Sequence, residues 1–578
     1  MTKKTSTPAS DSKLAVRLAT AGFFLAEVAV LAGSASPFRL PKETAILATL
    51  SLAVGVAVAV AAHRQVIRIP TGPLVAVLLA LPLLQVISAA WSASPRRAVE
   101  SACFTAIWVI AILWIATLSI DTRRRLSLVA AIGVAISIGI MMVQLAGDNV
   151  FNFTTRFSSN RLRLTGLTGN PADLAMAAVL LLPFVLVWGE TSTRPRLYRG
   201  LAAILTLGAV VSQTLTGYAA LGLLALVWLV QQRSKKLWLA TFGIGAALVV
   251  VALASGLTTR LQKEAESVRR GDYYRLFSAR GDGWSAGAEM IRARPVSGVG
   301  AANYSQLYYP SRLEWLTRNG GTGRRGELAS HFQWAHCDPL QVMAELGVVG
   351  VAWMIALILA IYGTRNRAGP ILPLAVAAWT PFALMHYPTH LAIGLTPIAL
   401  LLAHLIASRQ EPQPIEWRKA RVPLALLLVT LTILVAWWQV RRLATDLWVG
   451  GNEFRLQMSE TAAPELRARL ATAIEVQILS RIDRLPAAAP TLWRTVGRAR
   501  LIRGDAHRAE TAFRTAYELW PHEDAEFYLG MSLVAQGRRA EGLAHIGRVC
   551  RTNPALVGII GDPELRKVVR DMLATYRR

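Results

Sequence analysis

Long apolar runs without a charged side chain constrain this chain more than any other feature. Residues 45–62, 71–94, 101–120, 201–232 and 237–259 contain no charge, and a helix of about 20 apolar residues is long enough to cross a bilayer. Thirteen candidate spans start near residues 14, 44, 71, 101, 126, 172, 200, 217, 237, 340, 370, 391 and 422. The runs predict an all-α polytopic integral membrane protein.

Composition supports a membrane protein and argues against other classes. Hydrophobic residues make up 53% of the 578 residues and charged residues only 17%, whereas soluble domains average about 45–50% and about 25%. The net charge of +27 does not indicate nucleic acid, because Lys and Arg cluster in short loops between the apolar runs. That clustering is typical of cytoplasmic loops in membrane proteins.

The distribution of basic residues predicts the orientation. With the N-terminus in the cytoplasm, the cytoplasmic segments hold 20 Lys and Arg, while the short loops on the other side hold seven. Such a bias sets the topology of multi-pass membrane proteins. It requires residues 201–232 to make two passes, and it places the C-terminal domain on the non-cytoplasmic side.

Two regions, a large loop and the C-terminal tail, are predicted to lie outside the bilayer. Residues 1–440 form the membrane domain, and its large loop on the non-cytoplasmic side covers residues 257–338. Within that loop, residues 282–293 have the pattern of an amphipathic helix, with Trp284, Ala288 and Ile291 on one face. Such a helix is suited to the membrane surface.

The tail, residues 441–578, is predicted to be a soluble helical module of the tetratricopeptide-repeat kind. Its small, aromatic and proline residues follow the spacing of that repeat, and four of them recur 33 residues later. An ordinary helical bundle is the alternative. The first set is Trp493, Gly497, Gly504, Ala509, Phe513, Ala516 and Pro521, and the second is Gly530, Gly537, Gly542 and Pro554.

Candidate chemistry gathers where the large loop enters the next span. His336 precedes the span, Asp338 opens it, and Glu345 lies inside the apolar run, where an ionisable residue is a functional candidate by default. A neutral imidazole such as His336 can take a proton from a hydroxyl. Arg280 and Arg294 lie upstream, and guanidinium groups donate paired hydrogen bonds to phosphates.

Two further outer segments carry candidate binding residues. Arg163 and Asn170 flank a Gly-rich turn that leads into a span, and His386 begins a His-Tyr-Pro-Thr-His segment between two late spans. A helix start and interface residues are the alternatives for these segments. The three cysteines are far apart and provide no zinc site, so no metal or cofactor is expected.

Four of these segments in this order resemble the O-antigen ligase and Wzy-type O-antigen polymerase superfamily, in the subset with a tetratricopeptide-like tail. The matching positions are 166–171, Arg280 with Trp284, 294–300 and 336–347, within a resemblance covering residues 163–407. The chain departs from the family at residues 214–218, where Thr-Leu-Thr-Gly-Tyr replaces the usual Ser-Arg-Gly. Arg163 or another loop arginine is expected to substitute.

The resemblance implies a GT-C-like glycosyltransferase bundle. Its donor would be an undecaprenyl-diphosphate-linked glycan, used on the periplasmic face for lipopolysaccharide or exopolysaccharide biosynthesis. The acceptor would be lipid A-core for a ligase or another glycan for a polymerase. His336 would be the base and Arg280 would stabilise the leaving diphosphate. Arg163, Asn170, Arg294, Asp338, Glu345 and His386 would bind substrate.

Two other functions remain open at this point. One is a non-enzymatic scaffold whose tail recruits a protein partner from the polysaccharide machinery. The other is a lipid-linked glycan flippase, which would be expected to carry more buried charges than the two main cases, Glu27 and Glu345.

Overall fold

The computed structural model describes residues 12–147, 164–232, 250, 258–270, 280–322, 331–409, 413–416 and 421–576, and most of them are helical. In this described part, eight helices precede residue 233. They are α1 (Lys13–Val28), α2 (Leu40–Arg64), α3 (Pro73–Ser88), α4 (Pro95–Thr117), α5 (Ile120–Leu145), α6 (Pro171–Glu190), α7 (Pro195–Val211) and α8 (Leu215–Gln232).

The second half of the chain continues this helical pattern. The loop region contributes α9 (Thr258–Arg269), α10 (Arg280–Ala293) and α11 (Tyr304–Asn319). The next four helices are α12 (Asp338–Tyr362), α13 (Ile371–Met385), α14 (Ala392–Arg409) and α15 (Arg421–Glu460). The tail holds α16 (Pro464–Leu479), α17 (Ala489–Ile502), α18 (Ala506–Leu519), α19 (Glu523–Ala535), α20 (Arg539–Thr552) and α21 (Pro563–Thr575).

Helices occupy twelve of the thirteen predicted spans, and the ninth, near residues 237–259, lies almost wholly outside the described residues. Eight described helices are long and apolar enough to cross a membrane. A multi-pass helical protein is therefore confirmed, while the count of thirteen and the orientation stay predictions. A two-stranded antiparallel ribbon, β1 (Val66–Ile69) with β2 (Gln413–Glu416), is the exception to the all-α fold among the described residues.

The bundle has two distinct ends. The loop end, as we call it, gathers the starts of α2, α4, α6, α12 and α14 together with the tail. Its contacts include Trp91 Nε1 donating to the Ser297 carbonyl at 3.1 Å and Lys42 Nζ donating to the Leu167 carbonyl at 2.8 Å. The opposite end carries the ribbon and contacts such as Arg124 to Thr191. Segments predicted to share a side do meet.

Helix α6 lies at the centre of the bundle. It has the most buried apolar window of the eight candidate spans, and Ala175, Ala177 and Ala178 are fully buried. Small side chains let neighbouring helices approach closely in membranes. Because α6 begins at the loop end, this packing fixes the position of its first turn.

The large loop forms a packed layer. Helix α10 confirms the predicted helix. Gly283, Ala286 and Met290 are buried against α11 and α12, while Ala288, on the face predicted for the membrane surface, is exposed. Contact of that face with the membrane stays a prediction. The polar residues of the buried face form ion pairs. Asp282 pairs with Arg312 and Glu289 with Arg318.

In the tail, α17–α18 and α19–α20 form two hairpins with matching glycines. Gly497 lies against the ring of Phe513, and Gly530 lies against the Gly542 backbone, while Gly504 and Gly537 adopt left-handed turns at φ 81° and 82°. Glycine is favoured there because it lacks a Cβ. The 33-residue offset is thus a repeat in three dimensions, and its assignment to the tetratricopeptide class stays a prediction.

Candidate active site

The turn before α6 is one wall of the candidate site. Gln144 Oε1 accepts hydrogen bonds from the backbone N–H of Thr165 and Gly166, at 3.0 and 2.8 Å, and Ser137 Oγ accepts from Leu167 N–H at 2.8 Å. Gly166 and Gly169 have φ of 52° and 76° and touch neighbouring residues where a Cβ would lie. These contacts explain the Gly-rich sequence as a structural turn.

Asn170 closes this turn. Its side-chain oxygen accepts from the Ala172 N–H at 2.9 Å and caps α6, which is the preferred role of Asn at a helix start. Asn170 was predicted to bind substrate, and the capping bond gives it a positioning role. Arg163, the predicted binding residue before this turn, lies outside the described residues.

His336 projects from a strained turn immediately before α12. Its φ is 54°, a left-handed conformation that non-glycine residues rarely adopt and that often marks functional sites. Its Nδ1 is buried and has no hydrogen-bond partner among the described residues. Burial lowers the pKa of the imidazole to about 2, and His386, Arg280 and Arg39 act in the same direction. The ring is therefore neutral.

Two arginines lie close to the His336 ring. Arg280, the first residue of α10, is close enough to lower the pKa of both His336 and Tyr387. Arg39, between α1 and α2, places its guanidinium 5.0 Å from the Trp334 ring centre and donates to the Tyr387 hydroxyl. The structure therefore places Arg280 near His336, and it also brings Arg39 close, a residue that the sequence did not single out.

A buried His–Asp pair lies behind His336. His386 Nε2 is 2.8 Å from Asp173 Oδ1, and the two side chains are 2% and 1% exposed. The centres of the His386 and His336 rings are 5.8 Å apart, and Tyr387 contacts both rings. His386 was predicted from its segment, whereas Asp173 was not.

Asp338 connects α12 to the segment that contains His386. Its carboxylate lies 3.4 Å from His390 Nδ1 and accepts a hydrogen bond of 3.4 Å from the Thr389 N–H. Asp338 is 5% exposed. The predicted binding residue thus ties together the two segments that carry His336 and His386.

Glu345 lies just before a break in α12. Gly347 has φ 62° and ψ −150°, which interrupts the helix. Glu345 Oε1 accepts from Gln341 Nε2 at 2.9 Å, and Oε2 accepts from Ala302 N–H at 2.8 Å. Gln341 Oε1 in turn accepts from Ala335 N–H at 2.8 Å. The carboxylate therefore supports the backbone next to His336.

The Gly-x-Gly segment at residues 298–300 fills this break. Val299 and Gly300 N–H donate to the carbonyls of Ala344 and Glu345 at 3.0 and 2.9 Å, and Gly298 N–H donates to Arg294 at 3.0 Å. These N–H groups are satisfied within the protein and are therefore not available to bind a phosphate. Arg294 itself is exposed and donates to the Trp91 carbonyl at 2.7 Å.

A small cavity of about 40 Å³ lies beside the cluster. Its lining combines aromatic, cationic and acidic side chains. The residues that define it chemically are Phe38, Arg39, Lys42, Glu43, Asp173 and Trp334.

The tail is attached to the loop next to the site. His331 Nδ1 lies 2.8 Å from Glu523 Oε2, its Nε2 lies 2.7 Å from the Ser305 carbonyl, and its ring stacks on His522 at 4.3 Å. Tyr309 of α11 donates to Glu526 of α19. The tail and the loop helices also share one hydrophobic cluster, so the tail is packed against the wall that holds Arg280.

Comparison with known proteins supports the resemblance seen in the sequence. Residues 200–355 match the family model described as O-antigen ligase, a range that runs from within α7 through most of α12 and includes Arg280, His336 and Glu345. No curated protein matches the chain significantly. The match confirms the resemblance to O-antigen ligases over roughly a quarter of the chain.

Proposed function

Taking residues 200–355 as an O-antigen ligase domain, we propose that the protein is a membrane glycosyltransferase of the ligase or polymerase type. It transfers a glycan from an undecaprenyl-diphosphate carrier to an acceptor hydroxyl at the periplasmic face. The observation that carries the proposal is His336: a neutral imidazole in a left-handed turn, with two arginines close enough to lower its pKa. Such a group is suited to remove a hydroxyl proton.

The reaction needs a base and a means to stabilise the leaving group. His336 accepts the proton of the acceptor hydroxyl while that oxygen bonds to the anomeric carbon of the donor. The bond from this carbon to the diphosphate oxygen breaks, and the carrier diphosphate leaves with the electron pair. Arginine stabilises the charge that grows on the diphosphate, because its planar guanidinium donates two hydrogen bonds to phosphate oxygens.

Arg280 and Arg39 fit the donor side of the site. Both are close enough to His336 to lower its pKa, so an anionic diphosphate bound to them would oppose that effect and make His336 a stronger base. The donor would then activate the base that attacks it. Arg39 provides a cation in a chain that has Thr216 where the family usually carries arginine.

The remaining predicted residues divide by their contacts. Asn170, Asp338 and Glu345 hold the segments that carry the site, while Arg294 anchors the loop to Trp91. Arg163 stays a proposed contact for the donor. On this view the periplasmic orientation of the loop end, and a role of the tail in choosing an acceptor or a protein partner, belong to the proposal.

The test uses the purified full-length protein in lipid nanodiscs with an undecaprenyl-diphosphate oligosaccharide of defined mass. Lipid A-core and a glycan are offered as separate acceptors, and the products are weighed. Addition of one block identifies a ligase, and a ladder identifies a polymerase. No transfer to either acceptor, with the lipid-linked donor still bound, would contradict the proposal and favour the scaffold alternative.

A further inference from the structure

The His386–Asp173 pair has a fixed proton arrangement. The Asp173 carboxylate only accepts hydrogen bonds, so His386 Nε2, at 2.8 Å, must carry a hydrogen. In the neutral imidazole the other nitrogen, Nδ1, then carries a lone pair. Asp173 sits in the first turn of α6 and His386 at the end of α13, so two packed helices hold the pair in this geometry.

The free lone pair of His386 lies inside the protein. His386 Nδ1 is buried and has no hydrogen-bond partner within the described ranges, and the same holds for His336 Nδ1. A buried ring nitrogen without a partner is unfavourable by about 1–3 kcal/mol, and functional sites are where such groups persist. Two such nitrogens on neighbouring rings, with the hydrogen on His336 and the lone pair on His386, provide a path for a proton.

Charge favours His386 over His336 as the final holder of that proton. His336 lies near Arg280 and Arg39 and has no carboxylate within hydrogen-bonding distance among the described residues. His386 is bonded to the Asp173 carboxylate. A buried positive charge is stabilised by a bonded counter-ion and is costly without one.

We propose that Asp173 and His386 form a proton-relay pair behind His336. The acceptor hydroxyl gives its proton to His336 Nε2 as the new glycosidic bond forms. The hydrogen that His336 carries on Nδ1 moves to His386 Nδ1, directly or through one water, and Asp173 stabilises the resulting imidazolium. His386 then releases this proton to solvent, and His336 regains its starting tautomer by proton exchange with solvent. This inference rests on the proposed function and adds Asp173 to its machinery.

The test compares acceptors that do and do not carry a proton. Full-length wild type, Asp173→Asn and His386→Gln are given the same lipid-linked donor with either a hydroxyl acceptor or sodium azide. Asn keeps the shape of Asp but cannot act as a counter-ion. His404→Gln is the matched control, because His404 also has a buried Nδ1 without a hydrogen bond in the described structure but lies on α14, beside Trp188 and away from the site.

The relay predicts a selective loss. Transfer to the hydroxyl should fall by about 10²-fold in Asp173→Asn and in His386→Gln, while azide transfer stays near the wild-type rate. The double variant should be no slower than either single variant, because the two residues act as one unit. The kcat ratio between H2O and D2O should also increase in Asp173→Asn, as proton transfer becomes slower.

Different failures would contradict different claims. Wild type that transfers to neither nucleophile contradicts the proposed function. An active wild type with an unchanged Asp173→Asn overturns the relay alone. Equal loss of hydroxyl and azide transfer, with an unchanged isotope ratio and a wild-type melting curve, would assign Asp173 to donor binding and also overturn the relay.

Discussion

Gln341 joins Glu345 to the turn of His336: its Nε2 donates to Glu345 Oε1 at 2.9 Å, and its Oε1 accepts from the N–H of Ala335 at 2.8 Å. Glu345 is an ionisable residue inside an apolar run, and its binding of substrate stays a prediction. Its contacts in the structure support Ala335, the residue before His336. A buried carboxylate that accepts from two donors holds both of them in place.

This relationship predicts the effect of Glu345→Gln. A glutamine offers one oxygen to the two donors, Ala302 N–H and Gln341 Nε2, so one of them faces an NH2 group. We expect a loss of about 1–3 kcal/mol of stability and a decrease of up to about 10²-fold in turnover from the misplaced His336. Thermal unfolding and transfer assays measure the two effects. The control is Glu190→Gln on the exposed opposite end, and equal behaviour of the two variants would contradict the assignment.

Gly298→Ala is predicted to disrupt the junction between the loop and α12. Gly298 has φ 65°, and a Cβ there would overlap the Glu345 carbonyl, which is backbone and cannot move away. The expected result is poor insertion or a strongly lowered melting temperature. Gly139→Ala, in α5 with open space around it, should be neutral or slightly stabilising. A Gly298→Ala variant that melts like wild type would disprove the close packing.

Glu526→Ala should weaken the attachment of the tail. Glu526 is 1% exposed and accepts from Tyr309, His545 and Arg548, so its loss leaves buried groups unpaired, at about 2–4 kcal/mol. Limited proteolysis between α15 and α21 measures the effect. Glu541→Ala, at an exposed ion pair, is the control and should change little.

The effect of Glu526→Ala on stability is predicted to depend on pH. Burial opposes ionisation of Glu526, but hydrogen bonds from His545 and Tyr309 and the charge of Arg548 lower its pKa overall. A carboxylate with a lowered folded-state pKa stabilises the protein above its unfolded-state pKa, and this stabilisation disappears as the pH falls through the folded-state pKa. The difference in melting temperature between wild type and Glu526→Ala should therefore be constant near neutral pH and decrease in acid. A difference that grows in acid would contradict this sign.

Orientation is predicted from the basic residues. Fusion reporters placed after Lys236 and after Ala444 should give opposite sides, because 20 Lys and Arg lie in the predicted cytoplasmic segments and seven in the short outer loops. Reporters that agree with each other would show that the number of spans between them is wrong.

The sequence predicts the part of this site that depends on helix ends. His336, Asn170 and His386 each flank a span, and alternating passes bring such ends to one side, where the structure shows them. Arg39 was counted only as one outer basic residue, because a single arginine in a short loop has no local signature. Asp173 matches an ordinary acidic residue in a first helical turn. Only the tertiary contacts of Arg39 and Asp173 distinguish them from ordinary surface residues of the same type.

Two further features have no sequence signal, for similar physical reasons. One face of α10 is buried although it carries Asp282 and Glu289, because ion pairs with Arg312 and Arg318 satisfy these carboxylates. The break at Gly347 also has no sequence signal, because glycine is frequent in membrane helices. It is evident only once residues 295–300 are seen to fill the gap.

The His336→Ala variant of the purified full-length protein tests directly whether His336 is the general base. Turnover with a lipid-linked donor and its acceptor is measured beside donor binding. If His336 is the base, turnover of the variant should fall by about 10²–10⁴-fold, the range for loss of a general base. Donor binding should be nearly unchanged, because Arg280 and Arg39 remain. Wild-type turnover by a variant that inserts and melts normally would contradict this role of His336.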